Sequence, residues 1–248
     1  MPRIPCVLIV GSNSGGVGKT TTSCSLSDFI LAKGAKARIF DAEVAGAGDL
    51  RRFVPAADLI DIKQVDDLTK IFDGNIDGVT LVDLPAGQIC PSLHDFDQAH
   101  LFDDVRAGRM AMGVVHVLSP SERSTEEVAE VAQRIKGARH FIVANDLNNE
   151  GGFAKRTANH ALVAQLQKMQ PTTINMPFLK TEACDAVRKA GMSFNRFSVD
   201  QQQSRILRGF VKTWVDQVFS EFERVGLGEL VAAAISERPT PMRVVAGA

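Results

Sequence analysis

The sequence predicts an α/β protein: a doubly wound, mainly parallel sheet flanked by helices. Two observations carry this expectation. Short apolar runs rich in Val, Ile and Leu recur along the chain with helix-length segments between them, the pattern of parallel strands buried on both faces and joined by crossover helices. The 248 residues are 45% hydrophobic and 23% charged, which suits one sizeable globular core and excludes a disordered or fibrous chain.

The expected strands are Cys6 to Val10, Ala37 to Phe40, Val79 to Val82, Gly113 to Leu118, Phe141 to Ala144 and Thr173 to Met176. Helical patterns lie between them at Lys19 to Lys33, Leu93 to Met110, Ser124 to Lys136 and Gly152 to Met169. Ser124 followed by Glu127 has capping-box spacing, which places a helix start at Ser124. Further on, Ile206, Phe210, Trp214, Val218 and Phe222 recur every fourth residue, the apolar stripe of a helix that packs on the sheet or meets a partner. One domain over residues 1–236 is expected, followed by a flexible tail, 237–248, where Pro239 and Pro241 interrupt any regular pattern.

A net charge of −1 gives no global attraction to polyanions, so a nucleic-acid contact requires a local basic patch. Cys6, Cys24, Cys90 and Cys184 form no C-x-x-C pair, arguing against a disulfide framework or zinc site and for a reducing cytoplasm. The apolar run that stops at Gly11 is too short for a signal peptide or membrane span. No stable membrane insertion is expected.

The first strand runs into Ser12-Asn-Ser-Gly-Gly-Val-Gly18 and then Lys19-Thr-Thr-Thr22, which opens a helix. Strand, glycine loop and helix in this order make a phosphate cradle: glycines let successive backbone N–H groups converge on an anion, and the helix amino terminus adds partial positive charge. Gly15, Gly16, Val17 and Gly18 form the loop. Lys19 is placed to reach the β- and γ-phosphates of ATP, Thr20 to ligate Mg2+ and Thr21 to lie near the α-phosphate. Asn13 stands where the general G-x-x-x-x-G-K-[ST] pattern has glycine, so the loop is a variant of the P-loop.

A magnesium site also needs carboxylates at neighbouring strand ends. Asp83 follows Val79-Thr-Leu-Val82 and precedes Leu84-Pro-Ala-Gly87; Asp41 follows Arg38-Ile-Phe40, with Glu43 two residues later. An aspartate after a strand is also a common cap or loop residue. Asn145 ends another strand, where it reads either as an adenine contact or as a turn residue.

Taken together, these residues resemble the ParA/MinD family of ATPases, whose deviant Walker A loop reads K-G-G-x-G-K-[ST]. Asp41-Ala-Glu-Val44 resembles the family's D-x-D segment and Asp83-Leu-Pro-Ala-Gly87 its Walker B and second switch. Asn145 and Pro177 fall where the family contacts adenine. Two positions depart from the pattern: Ser14 replaces the signature lysine that reaches across a dimer to the partner's phosphates, and Glu43 replaces the second aspartate, associated with positioning the attacking water. The resemblance implies catalytic roles for Lys19, Asp41 and Glu43, and metal binding by Thr20, Asp41 and Asp83.

What the resemblance implies is a bacterial cytoplasmic, nucleoid-associated ATP-binding protein and weak Mg2+-dependent ATPase, which positions cargo such as plasmid DNA through ATP-dependent homodimerisation and a protein adaptor. Conjugation-associated members are an alternative. Arg188, Lys189, Arg196, Arg205, Arg208 and Lys212 offer either a nonspecific DNA face or ordinary solvated charges. Two other readings stay open: a small-molecule ATP-dependent enzyme resembling dethiobiotin synthetase, with Arg51-Arg-Phe-Val-Pro55 supplying cations, and a nucleotide-binding interaction module with little hydrolysis.

Overall fold

All six expected apolar runs form strands in a computed structural model of the chain, which describes residues 4–42, 50–73, 78–119, 122–147 and 172–235. Labels follow chain order among these residues. The first half contains β1 (Cys6–Gly11), α1 (Lys19–Ala32), β2 (Ala37–Asp41), α2 (Leu50–Phe53), β3 (Asp58–Leu59), α3 (Val65–Phe72) and β4 (Val79–Asp83). The second contains α4 (Ile89–Gln98), α5 (Leu101–Arg106), β5 (Ala111–Val117), α6 (Glu122–Arg134), β6 (Arg139–Asn145), β7 (Thr172–Met176), α7 (Thr181–Ala190), α8 (Phe194–Val199), α9 (Arg205–Arg224) and α10 (Leu227–Ile235).

The strands form one seven-stranded sheet in the order β3-β2-β4-β1-β5-β6-β7, and every pairing is parallel. The fold class is therefore as the apolar pattern predicts. Because successive side chains on a strand face opposite ways, β1 divides its residues between two cores. Leu8 and Val10 join Leu26, Phe29 and Trp214 on the face covered by α1 and the carboxyl-terminal helices. Val7 and Ile9 join Phe72, Phe96 and Phe102 on the other face. Burial on both faces is why β1 reads as an unbroken apolar run. The chain winds outward from β1 in both directions, so the carboxyl edge around β1 is a switch point, where doubly wound sheets bind ligands.

Several expectations need correction. Leu93 to Met110 is not one helix: α4 ends at Gln98, His100 takes a left-handed conformation with φ 59°, and α5 starts at Leu101. In one straight helix Phe96 and Phe102 would lie roughly 240° apart around the axis; the break lets both be fully buried. Nor does Ser124 begin its helix, because α6 starts two residues earlier, at Glu122. Its hydroxyl instead accepts the Ser119 N–H at 3.2 Å and donates to Asn13 Oδ1 at 3.2 Å. In α9 the apolar stripe is buried from Trp214 onward, but Ile206 and Phe210 are exposed. The helical expectation at Gly152 to Met169 and the tail 237–248 lie outside the described residues.

Two polar contacts hold the carboxyl-terminal helices in place. Trp214 Nε1 donates to the Pro177 carbonyl at 2.7 Å. Buried Asp28 of α1 accepts from the Ser193 hydroxyl at 2.6 Å and from the Asn195 N–H at 2.9 Å, fastening the start of α8 to α1. Burial raises the Asp28 pKa, and these two hydrogen bonds oppose the rise.

Candidate nucleotide site

The phosphate loop leaves β1 at Gly11 and reaches α1 through Gly16 (φ 73°) and Gly18 (φ 95°). Both are in the left-handed region that side chains with a Cβ rarely adopt. At Gly18 there is also no room: a Cβ would come within 1.9 Å of Asn145 Nδ2. At Gly15 and Gly16, by contrast, a Cβ would meet nothing within 4 Å. Their backbone borders open space, as a cradle for an anion requires.

The loop is fastened at both ends. On the amino-terminal side, Asn13 Oδ1 accepts from the hydroxyls of Ser14 (3.0 Å), Ser119 (3.1 Å) and Ser124 (3.2 Å). Toward α1, Asn145 Nδ2 donates to the Val17 carbonyl at 2.7 Å, while Asn145 Oδ1 accepts the Leu147 N–H at 3.0 Å. The Val17 side chain packs on the core, so its place in the loop is structural as far as its side chain goes. Asn145 thus pins the loop with one donor and one acceptor.

Asp41 and Asp83 are partners in register on β2 and β4, and both side chains are buried. They share the parity of Ile39 and Leu81, which puts them on the α1 side of the sheet. There Lys19 Nζ reaches Asp83 Oδ1 at 3.0 Å, with both side chains almost wholly buried. Burial pushes the Asp83 carboxyl up to about 6 against the opposing pull of Lys19, and the neighbouring Asp41 adds to the rise. Two carboxylates and a lysine thus converge beneath the loop. Glu43 lies outside the described residues.

Above this base the loop opens into a cavity of about 360 Å³, lined by Ser14, Gly15, Gly16, Gly18 and Lys19 through Thr21. Its other walls include Cys24, Arg52, Phe53, Ala86, Leu147, Arg188 and Phe194. Pro177 lies elsewhere, on a separate depression of about 690 Å³ beside Asn175 and Phe178. The structure therefore brings Lys19, Thr20, Thr21 and the glycines Gly15, Gly16 and Gly18 together around one cavity, with Asp83 joined to it through Lys19, while Val17, Asp41, Asp83, Asn145 and Pro177 are not among its lining residues.

Sequence reasoning missed the loop's anchors, Ser119 and Ser124, and the presence of Arg52 and Arg188 in the same cavity wall. Only the strand-end position of Asn145 and the basic character of the arginines gave any local signal. Beneath the loop, His116 of β5 stands in register with Gly11. Its ring stacks on His140 at 5.7 Å, with His116 Nε2 and His140 Nδ1 3.3 Å apart. Burial drives the His116 pKa down to about 3.

No protein-family model matches the chain, and no curated protein matches it in sequence. Solved structures do resemble it. A nucleotide-binding protein from Archaeoglobus fulgidus, in complex with ADP, has a TM-score of 0.51 at 18% identity, covering 75% of this chain and 86% of the other. The MinD cell division protein of Aquifex aeolicus has a TM-score of 0.50 at 16% identity, covering 88% of this chain and 97% of MinD. At these identities the likeness establishes architecture: the chain has the P-loop fold of MinD-like proteins.

Proposed function

We propose that the chain binds ATP with Mg2+ in the cavity above the phosphate loop, and that it is a nucleotide-switched, weakly hydrolysing ATPase of the ParA/MinD kind. The observation that carries the reading is the convergence of an open glycine loop, Lys19 and the paired carboxylates Asp41 and Asp83 at the switch point of the sheet. The donor set fits the group. Lys19 and the loop N–H groups suit a polyphosphate, and the Thr20 hydroxyl with Asp41 and Asp83 suits a hard cation that prefers oxygen ligands.

Magnesium, when bound, would neutralise phosphate charge and polarise the terminal phosphoryl group. The remaining chemistry belongs to the chain. Lys19 and Asp83 neutralise each other, and each would find a further partner in a bound phosphate and cation. Glu43 is the residue we assign to orienting the attacking water. The cargo-directed part of the reading, ATP-dependent dimerisation acting on plasmid DNA through an adaptor, is supported by the MinD-like fold and by exposed Lys189, Arg196, Arg205 and Lys212 on the successive helices α7, α8 and α9.

Calorimetric titration with ATP in the presence of magnesium tests the core of the proposal. Lys19→Ala is expected to abolish measurable binding, and Asp83→Ala to remove the magnesium dependence. ATP affinity that is the same in wild type, Lys19→Ala and Asp83→Ala would refute it.

A further inference from the structure

The cavity wall carries positive charge that the phosphate loop does not supply. At the loop entrance Ser14 brings no charge, and its hydroxyl is directed to Asn13 Oδ1 at 3.0 Å and toward Ser119 Oγ at 3.4 Å. Lys19 is held by Asp83. The other cations on the cavity are Arg52 from α2 and Arg188 from α7.

These two arginines are joined. Arg52 Nη2 donates to the Arg188 carbonyl at 2.6 Å, an oxygen that also accepts the Gly191 N–H at 3.3 Å where α7 ends. A cationic donor suits a helix carboxyl terminus, and the contact holds α2 against α7. It occupies only part of a guanidinium fork. Among the described residues no carboxylate lies within ion-pair distance of Arg52. The Arg188 guanidinium meets Asp185 only at 3.5 Å, with both side chains about half exposed. Two guanidinium groups without a strong carboxylate partner, on the wall of a cavity whose floor is a phosphate cradle, form an oxyanion site.

We infer that Arg52 and Arg188 bind the polyphosphate of a nucleoside triphosphate seated on the phosphate loop, adding charge that neither Ser14 nor the loop glycines bring. The inference rests on the reading of the cavity as a nucleotide site.

The test is calorimetric titration of ATP with magnesium, at a chain concentration where light scattering shows monomers. It uses wild type, Arg52→Gln, Arg188→Gln and Lys19→Ala. Arg52→Gln removes the charge and, being shorter, also gives up the bond to the Arg188 carbonyl, whereas Arg188→Gln leaves that backbone acceptor in place. Each glutamine variant is expected to weaken ATP about ten-fold or more, the effect of losing a charged hydrogen bond. Each is also expected to flatten the decline of affinity with added salt, and Arg188→Gln, which keeps the bond from Arg52 to its carbonyl, is expected to unfold at the wild-type midpoint. Arg52→Lys, which keeps the charge, should recover part of the loss.

Unchanged affinity and salt dependence in both glutamine variants, with Lys19→Ala inactive, would overturn the inference and leave the nucleotide site standing. Weakening matched by a lowered unfolding midpoint with no change in salt dependence would overturn it as well. Absence of ATP binding in wild type would overturn both readings together. If Arg52→Gln does not fold, Arg188→Gln and Arg52→Lys decide by the same criteria.

Discussion

Replacing His116 with glutamine should flatten the dependence of stability on pH. Buried in β5, His116 has a folded pKa of about 3 against an ordinary 6.5. Because the folded value is the lower one, the unfolded chain takes up the proton first as pH falls. The neutral imidazole's contribution is fully present above about pH 6.5 and declines progressively from there toward pH 3. At pH 5 the unfolded ring is about 1.5 pH units below its pKa, which corresponds to a loss of about 2 kcal/mol relative to pH 7.5.

Urea unfolding between pH 7.5 and 5 measures this directly. Carboxylates contribute equally to both proteins, so the quantity to compare is the difference in slope. Wild type is expected to lose about 2 kcal/mol more than His116→Gln over that interval. His140, whose pKa burial also lowers, remains in both and adds a loss of the same sign to each. Parallel stability curves would show that the imidazole is hydrated or proton-bound in the folded protein, and the reasoning from burial would fail.

Two further outcomes follow from the loop and its surroundings. Asn145→Ala removes the amide that holds the Val17 carbonyl and the Leu147 N–H. It should cost about 1–3 kcal/mol in urea unfolding and weaken ATP binding; unchanged affinity would mean that the loop keeps its shape unaided. Asp28→Ala strips the Ser193 and Asn195 contacts at the start of α8 and should cost about 2 kcal/mol, a result that an unaltered unfolding midpoint would contradict.

Features fixed by neighbours in the chain were legible in the sequence. The glycine loop, the strand before it and the helix after it occupy one continuous segment, and double-sided burial makes strands such as Val79–Asp83 stand out as apolar runs. The elements that were not anticipated are short or are set by packing at a distance. The two-residue strand Asp58–Leu59 has no periodicity to detect, and the reversal at His100 has no glycine to announce it. Nothing local shows that Arg52 will meet Arg188, a residue 136 positions away. Asn145 illustrates the middle ground: its position at a strand end left an adenine contact and a turn equally open, and only the fold reveals that its amide grips the Val17 carbonyl.

The hydroxyl cluster on Asn13 and the amide grip of Asn145 together make the cradle a mould set when the protein folds. The conformational entropy of ordering a glycine-rich segment is largely lost before any ligand arrives. A ligand therefore meets a rigid die, and its charge is sensed by whatever it displaces from that die. The group in position to be displaced is the Lys19 ammonium resting on Asp83. Asp83 is itself tied to its neighbours, since Ala42 N–H bonds its carbonyl and Leu84 N–H bonds that of Val10. On the proposed nucleotide reading, occupancy is a change of partners for Lys19, while the cradle itself stays still.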